Sequence, residues 1–385
     1  MLQVQPIAVQ ESCNNPKQWT KHTKVLEEPV TRQDVETAVR QAFGPSMKLI
    51  SYHMRTFSEE KLGFLGSHRK LVVTVQQGNS LERDMHTFFV KSVPYDNEEQ
   101  TIVIEESRAF YKEAGFYEQI VPELLKSIDD SSWLAQCLAS KSDVLIFEDL
   151  KSKGFELRSK LLDLASMKSA MSSFAKLHAA SILTERRLGK PLDEIFDPEL
   201  LCECLFLKTS KFYDWIVTGI DVLVAIAQKI GLDPTGIPRI CHKIFDIIST
   251  SKKYVPAVCD LVQLMYINTR RQFRDEHEID LLRHYHEVLC ETLRSKDSGL
   301  ELPSLSDLLQ EYEEFRIVGI VTTSLYSPLN LAEGKLCADL TKDSDGFAKI
   351  LRGDRIDLVM SIMQDDPLYS DILKEIVVEM VQKSK

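Results

Sequence analysis

Three strings in this sequence carry residues whose types and spacing could do chemistry. In Phe88-Phe89-Val90-Lys91-Ser92-Val93 a lysine interrupts an apolar strand and points to the face opposite its neighbours Val90 and Ser92. Alone, such a lysine is a solvated strand residue. Further on, Phe110-x-x-Glu113-x-x-Phe116-Tyr117 sets Phe110, Glu113 and Tyr117 on one helical stripe, which puts a carboxylate among aromatics facing a sheet. An ion pair between Lys91 and Glu113 accounts for both. A strand lysine oriented by a helix glutamate can hold the α- and β-phosphates of a nucleotide. Upstream, Gly63-Phe64-Leu65-Gly66-Ser67-His68 falls between two strands, where glycines let backbone N–H groups approach phosphates; a plain hairpin turn is the competing reading. Downstream, Val144-Leu145-Ile146-Phe147 is an apolar, buried strand, and the backbone of its exit, Glu148-Asp149-Leu150, could meet a purine edge.

Other residues have plainer explanations. His178 shares a helix with Phe174 and Leu177 and reads as a core histidine. Cys202-x-Cys204 lacks a second Cys or His pair at finger-like spacing, so no metal is assigned to it. Phe206, Phe212, Tyr213 and Trp215 form an aromatic cluster that fits ordinary core as well as an acceptor pocket.

These residues must be positioned by a small sheet and the helices behind it. Thr31-Arg32-Gln33-Asp34 is a capping box ahead of Val35, Ala38, Val39 and Phe43, with Gly44 as terminator. Alternating apolar runs predict antiparallel strands over 48–54, 71–76 and 86–93, helices over 104–117 and 121–127, and a strand over 144–147. Beyond Gly154 the period is helical: 166–188, 200–210, 215–230, 238–248, 257–271, 279–293, 305–315 and 367–381. The expected fold is α+β and two-lobed: a flexible extension over 1–30, a nucleotide-binding lobe over 31–148 and a helical lobe over 149–385, with a cleft between the lobes.

Composition narrows the partners. The formal net charge of -11 disfavours nucleic acid. Neither a signal peptide nor a membrane-length apolar run is present, so the expectation is a cytoplasmic protein with no membrane association, its eight cysteines reduced.

The three strings, followed by Phe147-Glu148-Asp149-Leu150, Phe174-Ala175-Lys176-Leu177-His178-Ala179-Ala180-Ser181, Asp260-Leu261-Val262-Gln263-Leu264-Met265-Tyr266 and Leu282-Arg283-His284-Tyr285-His286, occur in an order and spacing that resemble the ecdysteroid-kinase-like (CHK-kinase-like) family of insects. That family is similar to choline and aminoglycoside kinases. The resemblance implies a kinase-like two-lobed fold and transfer of phosphate from ATP, with Mg²⁺, to a hydroxyl of an ecdysteroid or another small alcohol. By the same resemblance Lys91 is the phosphate lysine and Glu113 its partner. Gly63, Gly66 and Ser67 belong to the phosphate-facing loop, and Glu148, Asp149 and Leu150 to the adenine hinge.

One part of the family pattern is missing. Members carry a His-Gly-Asp-x-x-x-x-Asn catalytic loop and an Asp-Phe-Gln metal site, where this chain has only Thr250-Ser251-Lys252-Lys253-Tyr254-Val255-Pro256. None of the nine histidines begins such a loop, and the sequence contains no Asp-Phe dipeptide. Phosphoryl transfer needs a group that orients the acceptor hydroxyl and oxygen ligands for Mg²⁺. The break between Tyr254 and Val255 therefore predicts an impaired enzyme with no catalytic or metal-binding residues and weak or absent ATP binding. The alternative is a non-catalytic splice isoform or pseudokinase acting as a binding or regulatory protein. Asp260, whose family counterpart braces the catalytic loop, is left as a helix cap.

Overall fold

The structure, a computed structural model, describes residues 29–58, 65–78, 80–156, 161–202, 212–250, 256–331, 339, 342–353 and 355–384. The expected extension up to residue 28, Gly63, Cys204, Phe206 and the Tyr254–Val255 junction lie outside the described residues.

Helix α1 (Arg32–Phe43) starts at the expected capping box: the Thr31 hydroxyl accepts from Asp34 N, and the Asp34 carboxylate accepts from Thr31 N at 2.8 Å. Gly44 ends it at φ +89. Its buried face, Val35, Ala38 and Val39, packs on a sheet of five antiparallel strands. These are β1 (Met47–Thr56), β2 (Ser67–Gln77), β3 (Asp84–Ser92), β4 (Cys137–Ser140) and β5 (Val144–Glu148), in the order β1-β2-β3-β5-β4. Strand alternation splits the side chains between two faces. Leu71, Val73, Val75, Phe88, Val90, Val144 and Ile146 meet α1, while Leu145 and Phe147 face Ile104 and Phe110 on the other side. Strand β4 was not expected, because its four residues are too few to show an alternation.

The expected helix over 104–117 begins earlier and is broken. Helix α2 (Glu98–Ser107), capped by Asn97, stops at Arg108, and α3 (Ala109–Gly115) restarts in a new direction. Arg108 has φ +52, the one positive φ outside glycine among the described residues. A π-turn over Phe116–Ile120 leads into α4 (Val121–Leu125).

After β5 the described chain is helical: α5 (Leu164–Leu188), α6 (Leu192–Ile195), α7 (Pro198–Leu201), α8 (Phe212–Lys229), α9 (Ile237–Thr250), α10 (Val258–Asn268), α11 (Arg271–Lys296), α12 (Leu305–Asn330), α13 (Ser344–Arg352), α14 (Ile356–Asp365) and α15 (Pro367–Ser384). The two-lobed α+β arrangement is thus the one observed. Where a helix over 305–315 was expected, α12 runs to Asn330. Its second half is buried at every position from 318 to 325, so it shows no amphipathic stripe to read. Gly319 allows α10 to lie against it, since a Cβ there would sit 2.9 Å from the Val262 carbonyl. Among the described residues no helix is long and apolar enough to cross a membrane.

Candidate functional site

The sheet face opposite α1 carries the candidate site. Alternation along β3 puts Thr87, Phe89 and Lys91 on this face, and the antiparallel register sets His68 and Leu145 beside Lys91, and Lys70 and Phe147 beside Phe89. The Lys91 ammonium donates to Glu113 Oε2 at 2.5 Å and lies 5.5 Å from the centre of the buried Phe110 ring. Glu113 reaches it from α3, on the same stripe as Phe110. The two side chains are 26% and 28% exposed, so the pair is reachable from the open side of the sheet.

Gly66 leads into β2 beside this pair at φ +111, a conformation that suits glycine, and a Cβ added there would lie 3.7 Å from Lys91 Cε and from the Phe110 ring. Of the expected phosphate loop, Gly66 and Ser67 are therefore placed next to Lys91, and Gly63 lies outside the described residues. Aromatic rings line the same face: Phe89 meets Phe57 at 4.8 Å, His68 at 5.3 Å and Phe147 at 6.3 Å between centroids, and Tyr117 stands edge-on to Phe147 at 5.1 Å. Burial first, and then the Glu113 charge, push the Tyr117 phenol up to about 12.

Glu148, expected with Asp149 and Leu150 to form the adenine hinge, ends β5, and the carboxylates of Glu148 and Asp149 and the carbonyls of Asp149 and Leu150 are engaged within the protein. Glu148 accepts from Gln136 N at 2.8 Å and pairs with Lys153. Asp149 accepts from Thr87 Oγ1 at 2.5 Å, from Lys151 N at 3.1 Å and from Lys70 Nζ at 3.3 Å. The Asp149 carbonyl takes the Ser152 N–H, and the Leu150 carbonyl takes that of Phe155. These contacts fix the hinge on β2 and β3. Lys70, Thr87 and Phe89 were missed in the sequence, although the alternation that singled out Lys91 also puts Thr87 and Phe89 on its face.

His178 lies in the helical lobe as a core residue. Its Nδ1 meets the Tyr285 hydroxyl at 2.8 Å and its Nε2 meets Asp260 at 3.2 Å. Asp260 thus bonds a side chain on α5, while α10 has no side-chain cap. Trp215 is buried against Tyr326 and under the Arg355 guanidinium, as core rather than as a pocket wall. Cys137, Cys241, Cys259 and Cys290 are free thiols.

The sequence pattern of the ecdysteroid kinase-like family matches residues 63–223 and 251–297, more than half of the chain. The chain belongs to the ecdysteroid kinase-like family. No curated protein and no solved structure matches significantly. The matched stretches of this ecdysteroid kinase-like chain include Lys91, Glu113, Gly66 and the hinge, and the Tyr254–Val255 junction falls inside the second stretch. The family is one of kinase-like small-molecule phosphotransferases that use ATP and Mg²⁺. Of those two groups, a triphosphate would find a cation in Lys91 beside Gly66. Among the described residues no group of three or more His, Cys, Asp or Glu side chains could hold a metal ion.

Proposed function

We propose that this chain is a nucleotide-binding member of its family that does not transfer phosphate. The observation that carries the binding half is the Lys91–Glu113 pair at 2.5 Å, partly exposed, with Gly66 beside the lysine. A lysine held in this way offers a fixed ammonium to the α- and β-phosphates, and Phe89 with Phe147 offers an apolar surface to a base. The absence from the sequence of a His-Gly-Asp-x-x-x-x-Asn loop and of an Asp-Phe-Gln string supports the other half. Without them nothing orients an acceptor hydroxyl, and no step through Mg²⁺ is assigned.

A full-length form containing that segment would phosphorylate a hydroxyl of an ecdysteroid or similar alcohol. This chain is then a cytoplasmic, non-catalytic form that binds ATP weakly. Both flanks of the break keep the family pattern, which favours a skipped coding segment over decay by point substitution. Genomic sequence between the codons for Tyr254 and Val255 tests that origin, and an intron without a His-Gly-Asp…Asp-Phe-Gln segment would refute it.

The binding claim is tested by thermal shift with millimolar ATP. A small rise in Tm for the wild type that disappears in Lys91→Ala is expected, since a ligand bound only to the native state stabilises by RT ln(1 + [L]/Kd). No rise in the wild type would leave a helical interaction protein without a nucleotide site.

A further inference from the structure

Helix α3 has two working faces. Phe110 and Glu113 turn to the sheet and Lys91. Arg108, Tyr111, Lys112 and Gly115, spaced as neighbours on the opposite side, turn to α7 in the helical lobe. Tyr111 donates its hydroxyl to Asp197 Oδ2 at 2.8 Å, Arg108 pairs with Glu199 at 2.8 Å, and the Lys112 ammonium reaches the Cys202 carbonyl. Gly115 closes the contact: a Cβ there would lie 2.3 Å from a methyl of the buried Leu200. Asp197 meanwhile caps α7 through its other oxygen, which accepts from Glu199 N at 3.0 Å. The turn before it is tied to α5, where Glu185 accepts from Leu192 N at 2.9 Å.

The left-handed residue Arg108 uncouples the start of α3 from the direction of α2, while at its other end α3 runs on through the π-turn into α4. Beside the sheet, the contacts with α7 are what hold the first turns of α3, from which Glu113 points. We propose that α7 is a clamp of the helical lobe, with Asp197 and Glu199 as positioning residues that hold α3 where Glu113 meets Lys91. The state of the lysine then depends on how the two lobes dock. The consequence for nucleotide affinity rests on the reading of this face as a nucleotide site, whereas the positioning itself is read on Lys91 alone.

The test is the rate at which N-hydroxysuccinimide acetate labels Lys91 in the ligand-free protein, followed by mass spectrometry. An amine held in a hydrogen bond to a carboxylate is not free to attack the ester and acylates slowly. The double variant Tyr111→Phe/Glu199→Gln breaks two clamp contacts without removing buried apolar volume, and Glu113→Gln breaks the pair directly. Each is expected to speed labelling of Lys91 several-fold and leave Lys70, which pairs with Asp149, unchanged. The triple variant should be no faster than Glu113→Gln alone, a non-additivity that a general loosening would not give. Wild-type labelling of Lys91 in the clamp variant, or additive rates in the triple variant, would overturn the clamp. ATP thermal shift separates the two readings. A wild-type shift lost equally in the clamp variant and in Glu113→Gln supports both. A missing wild-type shift removes the nucleotide site and leaves the clamp to be decided by the Lys91 rates.

Discussion

The Thr87 hydroxyl donates to the Asp149 carboxylate at 2.5 Å, which joins strand β3 to the residue that follows β5. Lys70 approaches the same carboxylate at 3.3 Å, and Asp149 is only 3% exposed. Burial alone would raise this carboxyl; hydrogen bonds from Thr87 and Lys70 outweigh it and hold it below its ordinary value of 3.8.

Asp149→Asn keeps the shape and removes the charge, and should cost about 2 kcal/mol in urea unfolding at pH 7. A carboxylate whose native pKa is depressed stabilises above its unfolded value, and that contribution is lost as pH falls through the native value. The wild-type advantage over Asp149→Asn should therefore be full near neutrality and shrink from about pH 5 downward. An advantage that grows in acid would contradict the assignment.

Two buried arginines should respond differently to the same substitution. Arg274, 5% exposed, pairs with Glu379 of α15, donates to the Thr269 carbonyl at 2.8 Å and lies 4.1 Å from the Tyr266 ring. Arg355, 3% exposed, donates to the Trp215 carbonyl at 2.6 Å and to Thr218 at 3.0 Å, and its Nε has no partner among the described residues. Burial pulls its guanidinium down to about 10. Arg274→Met strands Glu379 and should cost about 3–5 kcal/mol. Arg355→Met strands no carboxylate paired with it and should cost about 1 kcal/mol. Urea midpoints in the reverse order would show that the helical lobe is held differently.

The clamp has a spectroscopic mark. The hydrogen bond to Asp197, then burial and the Asp197 charge, push the Tyr111 phenol up to about 12. In Asp197→Asn the phenol should titrate closer to about 10, followed by NMR of ring-labelled tyrosine. A Tyr111 titration that ignores Asp197 would contradict the contact.

Much of the site was legible because its signals are local. A lysine inside β3 and a glutamate on the Phe110 stripe point at each other by period alone, and the Thr31–Asp34 box sits within one turn. What escaped the sequence depends on partners far along the chain. Tyr111 and Asp197 are 86 residues apart, and no pattern near either announces the other. The break at Arg108 carries neither glycine nor proline, so the helical period runs straight through it. The sequence offers Glu148, Asp149 and Leu150 as a strand exit whose backbone could meet a purine edge; that the Glu148 and Asp149 carboxylates are engaged with Lys153, Gln136, Thr87 and Lys70 is not shown by local spacing.

The most direct measurement is phosphate transfer itself: radiolabelled ATP with Mg²⁺ and an ecdysteroid acceptor, comparing wild type with Lys91→Ala. No phosphorylated product is expected from either protein, because the sequence has no His-Gly-Asp-x-x-x-x-Asn loop and no Asp-Phe-Gln string. Product formed by the wild type and lost in Lys91→Ala would contradict it.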